Sequence, residues 1–398
     1  MPRRPTRILY VQPNNGIGGS DIALLRMIHA LDRERWAPVV ALPHEGPLSA
    51  LLEEAGAELR YVPMRQLRTL PSPRYQLGYC ASLLPGVYHL RDLIRSDRID
   101  LVHSNSLYSL YGAFAARLAG QRHIWHVREI PPRIVVARRL LATAVRRLSS
   151  VVIAMSDACV EGLFGPGRPP LNLVVLPDGL DLSRWGAVVS GARIRAELGF
   201  ADDIPLIGFI ARLDPWKGLD VFLQAARLVA EREPRAQFLV VGEAPEGFER
   251  YRDRMKHLAT VLGVASRVYF LGWRYRLDDI PEVMAALTVL CHTPVKPEPF
   301  GLVLIEAMAV GCPVVAARAG GPLEIIEDGV SGWLVPPGDA AAFADRLCRA
   351  IATPEARRRI IAGGRARVAE RFSSARFAAD LAHVYERVER AGAGIGAS

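Results

Sequence analysis

Residues 1–188 contain no lysine at all, although they carry 23 arginines. Cysteine is sparse: Cys80, Cys159, Cys291, Cys312 and Cys348 show no C-x-x-C spacing and no paired framework, each among apolar or small neighbours. That pattern argues against a disulfide scaffold and a zinc site and fits a reducing cytosol. Long apolar runs are missing too. The longest uncharged stretches, such as Leu101–Ala116, fall short of about 18 residues and contain His, Asn and Ser, so none is expected to span a bilayer and any membrane association is peripheral. The start, Met1 to Arg7, leads straight into Ile8–Val11 without an apolar core or a small-residue cleavage site, unlike a signal peptide. Aromatics are only 7% of the chain and are not interleaved with the basic residues, which argues against a nucleic-acid-binding or scaffold protein.

What is present is a large apolar content, 50% of 398 residues, more than one ordinary core needs. Two domains, and a cleft between them, are expected. The net charge of +9 is unevenly placed: residues 1–188 hold 23 basic and 15 acidic residues, and the remainder 27 and 26. The first half is therefore the better candidate for an anionic partner, a lipid surface or an acidic or phosphorylated acceptor, unless it is simply an arginine-rich soluble surface.

Short apolar runs alternate with helix-like segments: Ile8–Val11, Pro38–Leu42, Leu59–Val62, Leu101–Val102, Ile124–Val127 and Val151–Met155. After a strand from Leu173 and the turn signals Pro177-Asp178-Gly179, the small residues of Ala187–Ala192 mark a linker. The alternation then restarts at Leu206–Ile210, Phe238–Val241, Val268–Leu271, Val289–Cys291, Val314–Ala316 and Gly332–Val335. The fold class is thus α/β, with two Rossmann-like domains in tandem: residues 1–188, residues 189–372, and a C-terminal helical segment, 373–398, expected to pack back on the first domain. Ala340 to Arg390 reads as helices, opened once by Pro354 and interrupted at Phe372-Ser373-Ser374, with a frayed end from Ala391.

Several segments can carry chemistry. In Glu298-Pro-Phe-Gly-Leu-Val-Leu-Ile-Glu306, Leu302–Val310 reads as a short apolar helix ending at Gly311, with Glu306 its only charge. Glu298 precedes it, and the amides of Gly301, Leu302 and Val303 are free at its start, where anions are favoured. The set suits sugar hydroxyls and a diphosphate; the plainer reading makes Glu298 a loop charge and Glu306 a paired helix residue. In Ile207–Gly218, a strand ends near Ile210 and carries Arg212 and Lys217 beyond its C-terminal edge. There two cations can neutralise a pyrophosphate as a metal would, or can be ordinary surface charge.

The strand Arg7–Gln12 leads into Gly16-Ile-Gly18-Gly19-Ser20-Asp21 and a helix Ile22–Leu31, without matching GxGxxG or a P-loop. Its glycines either let backbone approach phosphate or make the turn. His103 and His126 follow strand-like runs and either face the cleft or are structural. The loops Ala319–Glu324 and Asp178-Gly179 are turn-like, with no role fixed by composition. Finally, Arg133–Leu148 reads as a basic amphipathic helix, with Ile134, Ala137, Leu141, Val145 and Leu148 on one stripe and Arg138, Arg139, Arg146 and Arg147 around it. It either packs on the sheet or meets a membrane surface.

Three of these segments, in this order, resemble the retaining glycosyltransferases of family 4, which have the GT-B fold, two Rossmann-like domains facing a central cleft. EPFGLVLIEAMAVGCPVVA resembles the family's E-x7-E motif, Gly208–Gly218 its Arg and Lys diphosphate segment, and GGSD at 18–21 its glycine loop. The resemblance implies that Arg212 and Lys217 bind the donor diphosphate while Gly18 and Gly19 approach it from the other domain. It also implies that Glu298 binds donor-sugar hydroxyls and Glu306 the ribose, that the amides after Phe300, those of Gly301, Leu302 and Val303, contact phosphate and sugar, and that His126 contacts the sugar. Catalysis then rests on Arg212, Lys217, Glu298 and His126. The implied reaction moves a hexose-type sugar from a nucleotide-diphosphate-sugar, as co-substrate, to a glycan, lipid-linked or small-molecule acceptor, with retention, in bacterial polysaccharide, envelope or glycolipid synthesis. No Asp-x-Asp pair is present, so neither a divalent metal nor another cofactor is expected. An anionic acceptor and an anionic membrane surface are the expected partners, with the enzyme cytoplasmic and peripheral at the inner face. A nucleotide-sugar 2-epimerase of the same architecture is the alternative enzyme, distinguished by needing no acceptor.

Overall fold

The computed structural model describes residues 4–67, 73–132, 134–165, 168–186, 189–245, 247–273 and 279–393. Arg133, Ala187 and Val188 of the expected linker, and the terminal residues 394–398 lie outside them. Contacts divide the chain into two compact units: Met1–Gly179 with Ser374–Ser398, and Leu180–Ser373.

The first unit runs β1 (Thr6–Val11), α1 (Gly19–His29), β2 (Trp36–Leu42), α2 (Pro47–Glu54), β3 (Glu58–Tyr61), α3 (Pro73–Ser96), β4 (Leu101–Ser104), α4 (Leu110–Ala119), β5 (Arg122–Val127), α5 (Val135–Leu148), β6 (Val151–Ala154), α6 (Asp157–Phe164) and β7 (Leu173–Val175). The strands form one parallel sheet in the order β3-β2-β1-β4-β5-β6-β7. Ile8 to Val11 are fully buried, as are Val39 to Leu42. These unbroken apolar runs are what a parallel sheet covered on both faces requires, and they explain why the strands were readable.

The second unit runs α7 (Leu182–Trp185), α8 (Ala192–Leu198), β8 (Leu206–Ile210), a 3-10 turn (Pro215–Lys217), α9 (Leu219–Arg232), β9 (Gln237–Val241), α10 (Glu249–Val261), β10 (Val268–Gly272), α11 (Asp279–Ala286), β11 (Val289–His292), α12 (Leu302–Val310), β12 (Val314–Ala317), α13 (Pro322–Ile325), β13 (Trp333–Val335), α14 (Ala340–Ala352) and α15 (Pro354–Arg371). Its parallel sheet has the order β10-β9-β8-β11-β12-β13. Its core gathers Phe209, Phe222, Phe238, Tyr251, Trp333 and Phe343 among mainly aliphatic side chains. The last helix, α16 (Ser374–Ala393), belongs to the first unit.

Two helices differ from the sequence expectation. Helix α1 begins at Gly19, ahead of Ile22, because extended Gly18 caps it and donates its N–H to the Asp21 carboxylate at 2.8 Å. Helix α5 does not bury all of its expected stripe. Val145 is fully buried and Ala137, Leu141 and Leu148 partly so, whereas Ile134 is exposed. The helix packs on α6 and α4 along one side and leaves Val135, Val136 and Leu140, a second apolar row, outside.

Candidate functional site

In each sheet two neighbouring strands send the chain in opposite directions, leaving a crevice beyond their carboxyl ends, where open α/β sheets take ligands. In the second unit these are β8 and β11. The loop after β8 carries Arg212 and Lys217; the loop after β11 carries Glu298 and leads into α12.

The two loops are joined by an ion pair. Lys217 Nζ lies 2.7 Å from Glu298 Oε2 and 4.0 Å from the centre of the Trp216 ring, and His292 Nε2 is 3.4 Å from the same carboxylate oxygen. Burial pushes the Glu298 carboxyl up, but the Lys217 ammonium and His292 more than reverse this and hold it at about 2. Burial keeps His292 neutral against the pull of Glu298. Arg212 differs: it is exposed and, among the described residues, has no ion-pair partner. The crevice therefore presents one uncommitted cation and one cation shared with a carboxylate. A diphosphate can take both, leaving Glu298 to accept hydroxyls.

Backbone contacts fix this geometry. Gly218, in the left-handed region at φ 71, presses so closely on the end of β11 that a Cβ there would fall 1.9 Å from the carbonyl oxygen of Thr293. Thr293 Oγ1 in turn donates to the Gly218 oxygen at 2.8 Å, tying the Lys217 turn to β11. The Glu298 loop rests on Gly320-Gly321: Gly321 N donates to Glu298 O at 2.8 Å, and a Cβ on Gly320 would meet that oxygen at 2.2 Å. The turn-like segment that composition left without a role thus holds Glu298 in place. Phe300 is buried edge-on against Phe372, so only its backbone is available to a ligand. Gly301 caps α12, the amides of Leu302 and Val303 open it, and Glu306 lies half-buried in the same helix.

In the first unit the reversal falls between β1 and β4. Gly18 and Gly19 sit at the start of α1, and buried Asp21 organises their loop by accepting from Gly18 N, Gln12 Nε2 at 2.6 Å and Asn14 Nδ2 at 3.1 Å. The buried polar chain continues: Asn105 Nδ2 donates to Gln12 Oε1 at 2.9 Å, and Arg128 Nε donates to Asn105 Oδ1 at 2.7 Å. Arg128 Nη1 then pairs with both Asp178 oxygens at 2.7 and 2.8 Å, both side chains almost wholly buried.

His126, the next-to-last residue of β5, lies beside that ion pair. Its Nδ1 lies 3.2 Å from His103 Nε2 and 3.4 Å from Arg128 Nη2, and its buried Nε2 has no hydrogen-bond partner among the described residues. His103 Nδ1 reaches Tyr385 Oη of α16 at 3.0 Å, and Tyr385 reaches Tyr10 at 2.8 Å. Burial, and then the nearby Arg128 charge, press the pKa of both histidines well below the usual value, so both are neutral. An arginine only donates, so Nδ1 of His126 is the acceptor and its proton sits on Nε2.

Within the second unit the structure gathers Arg212, Lys217, Glu298 and the start of α12 at one crevice; within the first it gathers Gly18, Gly19 and the neighbourhood of His126. It adds His292, Thr293 and Tyr385, which no local pattern marks, and Asp178, which the sequence marks only as part of a turn. Among the described residues no group of three His, Cys, Asp or Glu side chains is placed to hold a metal ion.

Residues 191–367 match the family model described as Glycosyl transferases group 1, and residues 18–179 that described as Glycosyl transferase 4-like domain. The chain is similar to the D-inositol 3-phosphate glycosyltransferase of Stackebrandtia nassauensis, 31% identical over 424 residues, spanning 96% of this chain and 92% of the relative. It is 33% identical over 259 residues to the protein of the same name from Actinosynnema mirum, spanning 64% of this chain and only 60% of that relative's length. Among solved structures, Anabaena Alr3699/HepE, crystallised with UDP and glucose and also with UDP-glucose, is 27% identical with a TM-score of 0.82, covering 96% of this chain and 99% of its own.

Proposed function

From the premise that the chain belongs to the group 1 glycosyl transferases and has the two parallel-sheet units of the GT-B fold, we propose that it moves a hexose-type sugar from a nucleotide-diphosphate-sugar to an acceptor. The observation that carries the reading is the crevice beyond β8 and β11, where Arg212, Lys217 and the amides at the start of α12 suit a diphosphate and Glu298 suits sugar hydroxyls. HepE, which shares the fold along nearly its whole length, was crystallised with UDP-glucose, and a uridine nucleotide is the first donor to try.

The proposed reaction retains the anomeric configuration. The acceptor attacks from the face the diphosphate leaves, a phosphate oxygen helps to take its proton, and the cations stabilise the charge that grows on the departing group. No enzyme carboxylate is needed as a nucleophile, and no divalent metal is invoked. The arginine-rich first unit supports an anionic acceptor, in keeping with the inositol phosphate in the relatives' name, and a glycan or lipid-linked acceptor of bacterial polysaccharide, envelope or glycolipid synthesis. No described helix is long and apolar enough to cross a membrane, and the proposed association with the inner face is peripheral.

The test is a thermal-shift panel of UDP, GDP, ADP, TDP and their sugars, followed by product analysis with and without acceptor. A stabilising donor and acceptor-dependent release of its nucleotide, undiminished by EDTA, are expected. Failure of every nucleotide sugar to stabilise the fold overturns the reading. Isomerised donor without acceptor assigns an epimerase instead, and rescue of an EDTA-silenced enzyme by Mn²⁺ removes the metal-free mechanism.

A further inference from the structure

Helix α3 is apolar on both sides. Its inner row, including Val87, Leu90 and Ile94, is buried, yet its outer row over the first turns, Leu77, Cys80, Ala81, Leu84, Pro85 and Tyr88, is exposed and has Arg74 as its one charge. Leu77 is 71% exposed and Leu84 65%. A surface helix ordinarily turns a charged face outward, and no intrahelical reason accounts for leaving these side chains in water.

The neighbouring helices repeat the feature. The connections β3 to β4, β4 to β5 and β5 to β6 all progress the same way across the sheet, so right-handed crossovers put α3, α4 and α5 on one face. Helix α3 packs on α4, and α4 on α5. Phe114 and Leu118 of α4 are exposed, as are Val136 and Leu140 of α5, each at 68%. The same three helices carry eight arginines against a single acidic residue, Asp92. A second copy of the chain docking through this face would set arginines against arginines, whereas an anionic surface complements them.

We propose that the outer face of α3, α4 and α5 docks on an anionic lipid bilayer, with Leu77, Leu84, Val136 and Leu140 entering the interfacial layer and the arginines meeting headgroups. This deepens the peripheral-membrane reading above and rests on it for the partner's class. Vesicle binding is measured without turnover, so its failure and the failure of the transferase reading are separable.

The experiment is co-sedimentation of the full chain with phosphatidylcholine vesicles, alone and mixed with phosphatidylglycerol, alongside light scattering in the absence of lipid. The chain should bind the mixed vesicles, weaken with added salt, and ignore the neutral ones. The double variant Leu77→Glu/Leu84→Glu should bind about 10-fold more weakly or worse with unchanged melting, because both positions are already exposed. Val261→Glu, at an exposed apolar position of the second unit, should bind as the parent does. No binding to the mixed vesicles, equal binding by the double variant, or a dimer that the double variant abolishes overturns the proposal.

Discussion

Lys217 and Glu298, 81 residues apart in sequence, form a partly buried ion pair of 2.7 Å that spans the two loops of the candidate donor crevice. Because the Glu298 carboxyl is held at about 2, below its unfolded value of about 4.3, the pair stabilises the fold above that unfolded value and the stabilisation is lost as pH falls through about 2. In Lys217→Met only His292 is left to oppose the burial of Glu298, so the carboxyl rises from about 2 and the stabilisation it brings above about 4.3 shrinks. The variant should lose about 3–5 kcal/mol near neutral pH and roughly half of that near pH 4, where the parent still keeps most of its ion pair, and Glu298→Gln in the same background should recover part of the neutral-pH loss. Denaturant midpoints at the two pH values check this; a loss independent of pH contradicts the sign.

Arg212 provides the contrast. It is exposed and without an ion-pair partner among the described residues, so Arg212→Ala should leave stability within about 0.5 kcal/mol while lowering turnover about 10²-fold. Melting and initial rates on one preparation decide it. Near-parental turnover removes Arg212 from the chemistry.

The strands and α12 were legible because parallel strands buried on both faces are continuous apolar runs and because Gly311 punctuates the helix. Glu298 and Lys217 were legible as a motif, but their contact was not: 81 residues separate them, and the β8–β11 neighbourhood that joins them is a property of sheet order. His292 and Thr293 read as the polar end of an ordinary strand, and Tyr385 as one more residue of a helix. The second apolar row of α5 was hidden behind the first, since periodicity shows which side chains share a face and not which face meets the sheet.

Asp21 is the side chain on which the glycine loop depends. Asp21→Ala leaves Gln12 Nε2 and the Gly18 N–H without their acceptor, both in or beside the buried chain that runs through Asn105 to Arg128. The expected cost is about 1–3 kcal/mol in unfolding free energy. The phosphate approach that the family resemblance implies for Gly18 and Gly19 requires in addition that the stabilising nucleotide sugar produce a smaller thermal shift in Asp21→Ala than in the parent. An equal shift detaches the glycine loop from donor binding.

His126 should meet its ligand as a donor and never as a base. Arg128 Nη2 faces Nδ1 and can only donate, so Nδ1 accepts and Nε2 keeps the proton. His103 must then present its own Nε2–H to the same Nδ1, leaving its Nδ1 to accept from Tyr385, whose oxygen accepts from Tyr10. Nitrogen-15 spectra of histidine-labelled protein should show the Nε2–H tautomer for both residues, with no titration between about pH 5 and 8, because burial and Arg128 keep their pKa values low. Their folded values lie below the unfolded one of about 6.5, so both histidines withdraw stability as pH falls beneath it. In Tyr385→Phe the donor to His103 Nδ1 is gone, His103 is free to move its proton there, and the constraint passing to His126 from that side is released. The variant should therefore show mixed histidine tautomers in a folded protein and a thermal shift with the donor sugar reduced more than that with the bare nucleotide. An Nδ1–H signal from His126 in the parent protein contradicts the donor role at its root, and unchanged tautomers in Tyr385→Phe confine the control to Arg128.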